Sequence, residues 1–120
     1  MSVEIKNLDG EVVFVFPGDS LVEANLSNNK NLGRADFRGQ DMRNVNLGGA
    51  HCRGADFSGA DMSGQKTCLV YAQCQDAKFV GTNLEGADME RINICGADLT
   101  GARKNGARTS YWHWDEDTKF

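Results

Sequence analysis

An all-β solenoid is the fold class this sequence predicts, and three observations predict it. From Ala35 to Gly64 the chain reads ADFRG QDMRN VNLGG AHCRG ADFSG ADMSG, six five-residue units without a gap. A period of five fits neither a strand nor a helix, so the fold follows from the repeat. Second, the large apolar residue at each unit's centre resembles the one four units away. Third, a strand pair precedes the repeat.

The strand pair comes first in the chain. Val3, Glu4, Ile5 and Lys6 alternate, Asn7-Leu8-Asp9-Gly10 supplies turn chemistry, and Glu11 to Phe16 returns. Alternation places Val12, Phe14 and Phe16 on one face and Val13 and Val15 on the other. Pro17-Gly18-Asp19-Ser20 ends the hairpin. Its expected role is to cover the first coil, whose core and strand edges would otherwise be open.

The repeat body follows. Centres run Leu21, Leu26, Leu32, Phe37, Met42, Leu47, Cys52, Phe57, Met62, Leu69, Cys74, Phe79, Leu84, Met89, Ile94 and Leu99, ending at Lys104. One residue is inserted between Leu26 and Leu32, and two, Gln65 and Lys66, between Met62 and Leu69. Such slips belong at solenoid corners. A small residue, usually Ala, sits two places before each centre. Gly often takes the last place, where a tight turn favours a residue without Cβ.

Reading every fourth centre files Phe37, Phe57, Phe79 and Leu99 together. It also files Leu32, Cys52, Cys74 and Ile94 together, and it keeps the leucines and methionines on the two other sides. Reading every third centre mixes them. Four sides per coil is the expectation. Coils then stack ~4.8 Å apart and the core forms ladders of like side chains.

The C-terminal segment carries Tyr111, Trp112 and Trp114, followed by Asp115 to Phe120. Trp112 or Trp114, with Phe120, is expected to cover the last coil. The same aromatic end suits a homodimer contact. The organisation predicted is a single structural domain: a hairpin cap at 1–20, a β-helix of about four coils at 21–109, and a C-terminal cap at 110–120.

The repeated ADF, ADM and ADL triplets resemble the A(D/N)LXX motif of the pentapeptide-repeat family, across about Leu21 to Arg108. The Val-Glu-Ile-Lys-Asn start and the Asp-Thr-Lys-Phe ending are similar to flanks seen in that family. Lys30 and Gln40 in the small column, and Lys104 at a centre, depart from the motif. The resemblance implies a right-handed quadrilateral β-helix, one pentapeptide per side and four per coil. It also implies a bacterial, bacteriophage or cyanobacterial setting.

Composition sets the functional classes. The 120 residues carry 13 basic and 17 acidic side chains, a net charge of −4. No apolar run approaches the ~20 residues of a membrane helix, and no basic-then-apolar leader opens the sequence. A cytoplasmic location without membrane association is the expectation, and Cys52, Cys68, Cys74 and Cys95 are then free thiols. His51 and Cys52 are adjacent and project to opposite faces, so they form no nucleophile pair or shared metal site. Cys52 and Cys74 read as inward core fillers in successive coils. No P-loop, dinucleotide fingerprint or HExxH run occurs. A non-enzyme without cofactor or metal is the expectation, with no catalytic residues.

Asp36, Asp56 and Asp98 stand one place before their centres on the phenylalanine side. They read as exposed repeat residues bonding local backbone, and with Trp112 and Trp114 they form the candidate interaction surface. Some members of the resembled family are acidic B-DNA mimics that bind DNA gyrase. Between Leu21 and Thr109, however, ten acidic residues face eleven basic ones. A balanced rod does not imitate one negative charge per ~1.7 Å. Arg34, Arg38, Arg43 and Arg53 gather in the first half without interleaved aromatic platforms, which counts against direct nucleic-acid binding. The leading expectation is therefore a rigid protein-interaction or scaffold module with an unknown protein partner. A gyrase- or topoisomerase-directed DNA mimic is the alternative.

Overall fold

Val3–Lys6 (β1) and Val12–Phe16 (β2) pair antiparallel in the structure, a computed structural model that describes residues 1–120. The register slips between Ile5 and Lys6, so Ile5 faces Phe14 but Lys6 faces Val12. This bulge swaps the expected alternation at the strand's start. Val13, Phe14 and Phe16 pack on the core, while Val12 is exposed. Ile5 is buried. The hairpin is tied to the first coil through Leu8 N–H to Arg34 O and Asp36 N–H to Lys6 O, each 2.8 Å. Asp9 and Arg34 add an ion pair of 2.6 Å.

Beyond the hairpin the chain winds in coils of four short sides, joined by parallel pairings of single residues. Asp36 pairs with Asp56, Asp56 with Lys78, and Lys78 with Asp98. His51 pairs with Gln73, and Gln73 with Asn93. Asn46 pairs with Cys68, and Cys68 with Asp88. Asp61 pairs with Asn83, and Asn83 with Arg103. The N–H groups of Phe37, Phe57 and Phe79 donate to the carbonyls of Asp56, Lys78 and Asp98 at 2.9, 2.7 and 2.7 Å. Segment 110–120 extends the winding: His113 pairs with Asn93, and Lys119 with Asp98.

Each corner is a turn. The small residue's N–H donates to the carbonyl of the preceding centre, as Ala60 does to Phe57 at 3.0 Å. The second of the two residues between them takes a positive φ, +70° at Gly59, which is the reason glycine recurs there. Gln65 and Lys66 bulge outward at one corner, exposed, and Thr67 resumes the buried small column.

The interior is a set of four files with no water-facing member through the middle coils. Phe37, Phe57 and Phe79 stack with centroids 5.1 and 4.9 Å apart and planes within 9° and 8°. Those separations match the ~4.8 Å spacing between hydrogen-bonded strands. Backbone pairing and side-chain stacking therefore share one repeat distance, and neither is compromised. The alanine column lines the corners, buried from Ala35 to Ala97 wherever it holds Ala. Thr82 fits in the same column because its hydroxyl donates to Phe57 O at 2.7 Å. The molecule measures 39 × 28 × 23 Å.

Candidate interaction surface

The outward side chains are arranged by the same period. The residue before each centre is Asp or Asn on most sides, and its side-chain oxygen accepts the backbone N–H two residues on. Asp56 takes Ser58 N–H at 2.9 Å, Asp61 takes Ser63 N–H at 3.0 Å and Asn93 takes Cys95 N–H at 3.1 Å. A side chain short enough to fold back on its own turn is required, which selects Asp and Asn.

Asp36, Asp56, Lys78, Asp98 and Lys119 form one outward file on the phenylalanine side. The candidate aspartates are thus brought together, but with lysines set among them rather than as an acidic line. Asp36 is held in a two-pronged fork by Arg38, Nε to Oδ1 at 2.9 Å and Nη2 to Oδ2 at 2.8 Å. That fork holds the Asp36 carboxyl below the usual carboxylate range. Thr100 does the same for Asp98 by hydrogen bonding. Asp56 departs from the expected exposure. It is buried, 8% accessible, because coils above and below flank it. Its value as a contact residue is correspondingly small.

The aromatic end is open. Trp112 packs against the core with its ring parallel to Phe120, 6.0 Å between centroids, and Trp114 meets Phe120 edge-on at 6.1 Å. Trp112 Nε1 is buried without an acceptor. Trp114 and Phe120 are each 58% exposed. Trp112 therefore covers core, whereas Trp114 is exposed to solvent.

Cys52 and Cys74 are free, fully buried and one coil apart. A hydrogen bond that the Cys74 thiol donates to Cys52, together with burial, pushes that thiol well up, away from a reactive thiolate. A third feature is absent from the sequence-based expectations. Tyr71, Arg91 and Tyr111 occupy one corner in successive coils, with φ of 60°, 61° and 59°. The Arg91 guanidinium lies over both rings, 5.8 Å from Tyr71 and 4.6 Å from Tyr111. A signal for it exists: three bulky residues at twenty-residue intervals, in the turn place that glycine usually takes.

The Pentapeptide repeats family model matches residues 20–64 and 72–103, in 8 copies. The chain belongs to the pentapeptide-repeat family. Among solved structures it is similar to Rfr23, a pentapeptide repeat protein of the cyanobacterium Cyanothece 51142. The TM-score is 0.71 at 26% identity, covering 82% of this chain and 62% of that one. It is also similar to a pentapeptide repeat protein of the Arabidopsis thaliana thylakoid lumen, with TM-score 0.69 at 29% identity, covering 73% of this chain and 59% of that one. The chain thus spans about three fifths of the length of either structure. QnrB1, a plasmid-mediated fluoroquinolone resistance protein, overlaps at TM-score 0.28 and 21% identity over 77% of this chain and 58% of that one, too weakly to bear on function. Curated proteins give no significant match.

In this pentapeptide-repeat chain a concavity lies at the corner of the Gln65-Lys66 insertion. Gln65, Gly86, Asp88, Asn105, Gly106 and Arg108 line it, with no hydrophobic wall. Ligand and substrate pockets are mostly apolar with a few convergent polar groups.

Proposed function

We propose that this pentapeptide-repeat protein is a non-catalytic, rigid interaction or scaffold module that binds a protein partner through its outer surface. One observation carries the reading. The inner faces are filled by stacked side chains, and outside them the repeated Asp and Asn oxygens accept N–H groups of their own turns, with Asp36 and Asp41 also forked by arginines. Recognition is left to exposed side chains on a stiff frame. Exposed aromatic residues at the open end, Trp114 and Phe120, are of the type that interface cores favour.

The test is capture of partners from the source cell with chemical cross-linking. A stoichiometric partner protein cross-linked to outward columns or to the aromatic end supports the reading. Recovery of the chain alone, or a turnover assay that tracks the purified protein, would overturn it. We further propose a cytoplasmic location, checked by fractionation. A homodimer through the aromatic end is checked by light scattering of the wild type against Trp114→Ala.

The DNA-mimic alternative draws less support. Asp36 and Asp41 are forked by Arg38 and Arg43, and Glu85 and Glu90 sit 3.9 and 3.6 Å from Arg103 and Arg108. Local neutralisation of this kind leaves no continuous negative stripe to stand for a phosphate backbone. Supercoiling by gyrase that stays unchanged at excess protein is the expected result, and inhibition would favour the mimic.

A further inference from the structure

We infer that the Tyr71–Arg91–Tyr111 corner is a binding site for an acidic segment of a partner protein, with Arg91 receiving an Asp or Glu carboxylate. The inference rests on the reading of the chain as an interaction module and names where and what it binds. Three facts carry it. The ladder is exposed, with Tyr71 62% and Tyr111 73% accessible. Its residues sit at positive φ, a conformation uncommon for bulky side chains and taken by glycine at most other corners. Arg91 has no ion pair and no side-chain hydrogen bond. The adjacent carboxylate, Glu90, is directed to Arg108 at 3.6 Å.

The chemistry follows from the stacking. The guanidinium carbon of exposed Arg91 lies over two phenol rings set two coil steps apart, 5.8 Å from one centroid and 4.6 Å from the other. A guanidinium flanked by rings and without an ion pair keeps its N–H fork for a carboxylate bound through two parallel hydrogen bonds. The rings on either side offer apolar area to the residues flanking that carboxylate. Tyr and Arg together are the residues in which interface binding energy concentrates. With a net charge of −4 on the chain, an extended polyanion is disfavoured, whereas one acidic side chain is not.

The test uses the full chain with arginine Nε–H and tyrosine ring signals followed by NMR. The probes are acetyl-Leu-Glu-Asp-Leu-amide, its Gln/Asn counterpart and inorganic phosphate. The expected result is a saturable shift at Arg91, Tyr71 and Tyr111 with the acidic peptide, at least about fivefold weaker with the neutral one and lost in Arg91→Gln. Tyr71→Gly/Tyr111→Gly should also weaken binding about fivefold or more while the Tm holds or rises, since glycine relieves the positive φ. Three results would overturn the site: no shift, an equal response from the neutral peptide, or phosphate acting at lower concentration than the peptide. A fall in Tm with unchanged peptide binding in the glycine variant would make the ladder a structural clasp instead. A partner that still cross-links elsewhere on an Arg91→Gln chain would remove this site and leave the module reading intact.

Discussion

The hydroxyl of Thr82 donates to the carbonyl oxygen of Phe57, 2.7 Å away in the preceding coil. Thr82 stands where most coils have alanine, fully buried. A polar atom is tolerated there only because a carbonyl of the neighbouring coil is within reach. Thr82→Val keeps the shape and removes the donor, and Phe57 O still accepts from Ala60 N–H. The expected loss is about 0.5–1.5 kcal/mol by urea denaturation. A loss beyond about 3 kcal/mol would mean that the carbonyl depends on Thr82 alone.

Inward and outward columns should differ sharply in what truncation costs. Phe57→Ala opens a cavity between Phe37 and Phe79 and is expected to cost about 3–5 kcal/mol. Asp56→Ala loses the bond to Ser58 N–H and should cost about 1 kcal/mol. Denaturant midpoints of the two variants check the ranking, and a reversal would contradict the orientation of both columns.

The corners give a paired test of glycine. Gly59 has φ of +70° and open space where a methyl group would stand, so the cost of Gly59→Ala comes from the backbone alone. About 1–2 kcal/mol is expected. Gly33 has an ordinary φ and its nearest obstacle is Arg53 O at 3.8 Å, so Gly33→Ala should be neutral or slightly stabilising. Equal Tm changes would contradict the turn assignment.

Acid should loosen the arginine forks. Arg38 and Arg43 lower the Asp36 and Asp41 carboxyls in the folded state. A lowered folded value means that stability is fully present above the unfolded carboxylate range near ~3.9 and is lost as pH falls through the folded value. Asp36→Asn should therefore cost no more than about 1 kcal/mol at neutral pH, the fork being solvent-exposed, and the difference from wild type should vanish in strong acid. Stability curves of both proteins against pH check this, and a gap that widens on acidification would reverse the sign.

Much of the fold was legible because the repeat carries its own register. Phe37, Phe57 and Phe79 recur with the coil, so counting centres is enough to place them in one file. The burial of Asp56 was not legible, since it depends on how closely adjacent coils flank an outward side chain. The swap of Val12 for Val13 on the packed face was hidden by a bulge between Ile5 and Lys6 that alternation cannot register. On the surface, the interruption of Asp36, Asp56 and Asp98 by Lys78 could be read from sequence. The Tyr71–Arg91–Tyr111 ladder was hidden because a consensus built on glycine corners treats the other corner residues as noise.

The stacked wall itself is tested most directly by a double-mutant cycle of Phe57→Leu and Phe79→Leu, measured by urea unfolding. Rings in contact at 4.9 Å should give a coupling energy of about 0.5–1.5 kcal/mol. Single-mutant effects that simply add, within about 0.3 kcal/mol, would mean that the two rings do not touch and that the chain does not wind four sides to a coil.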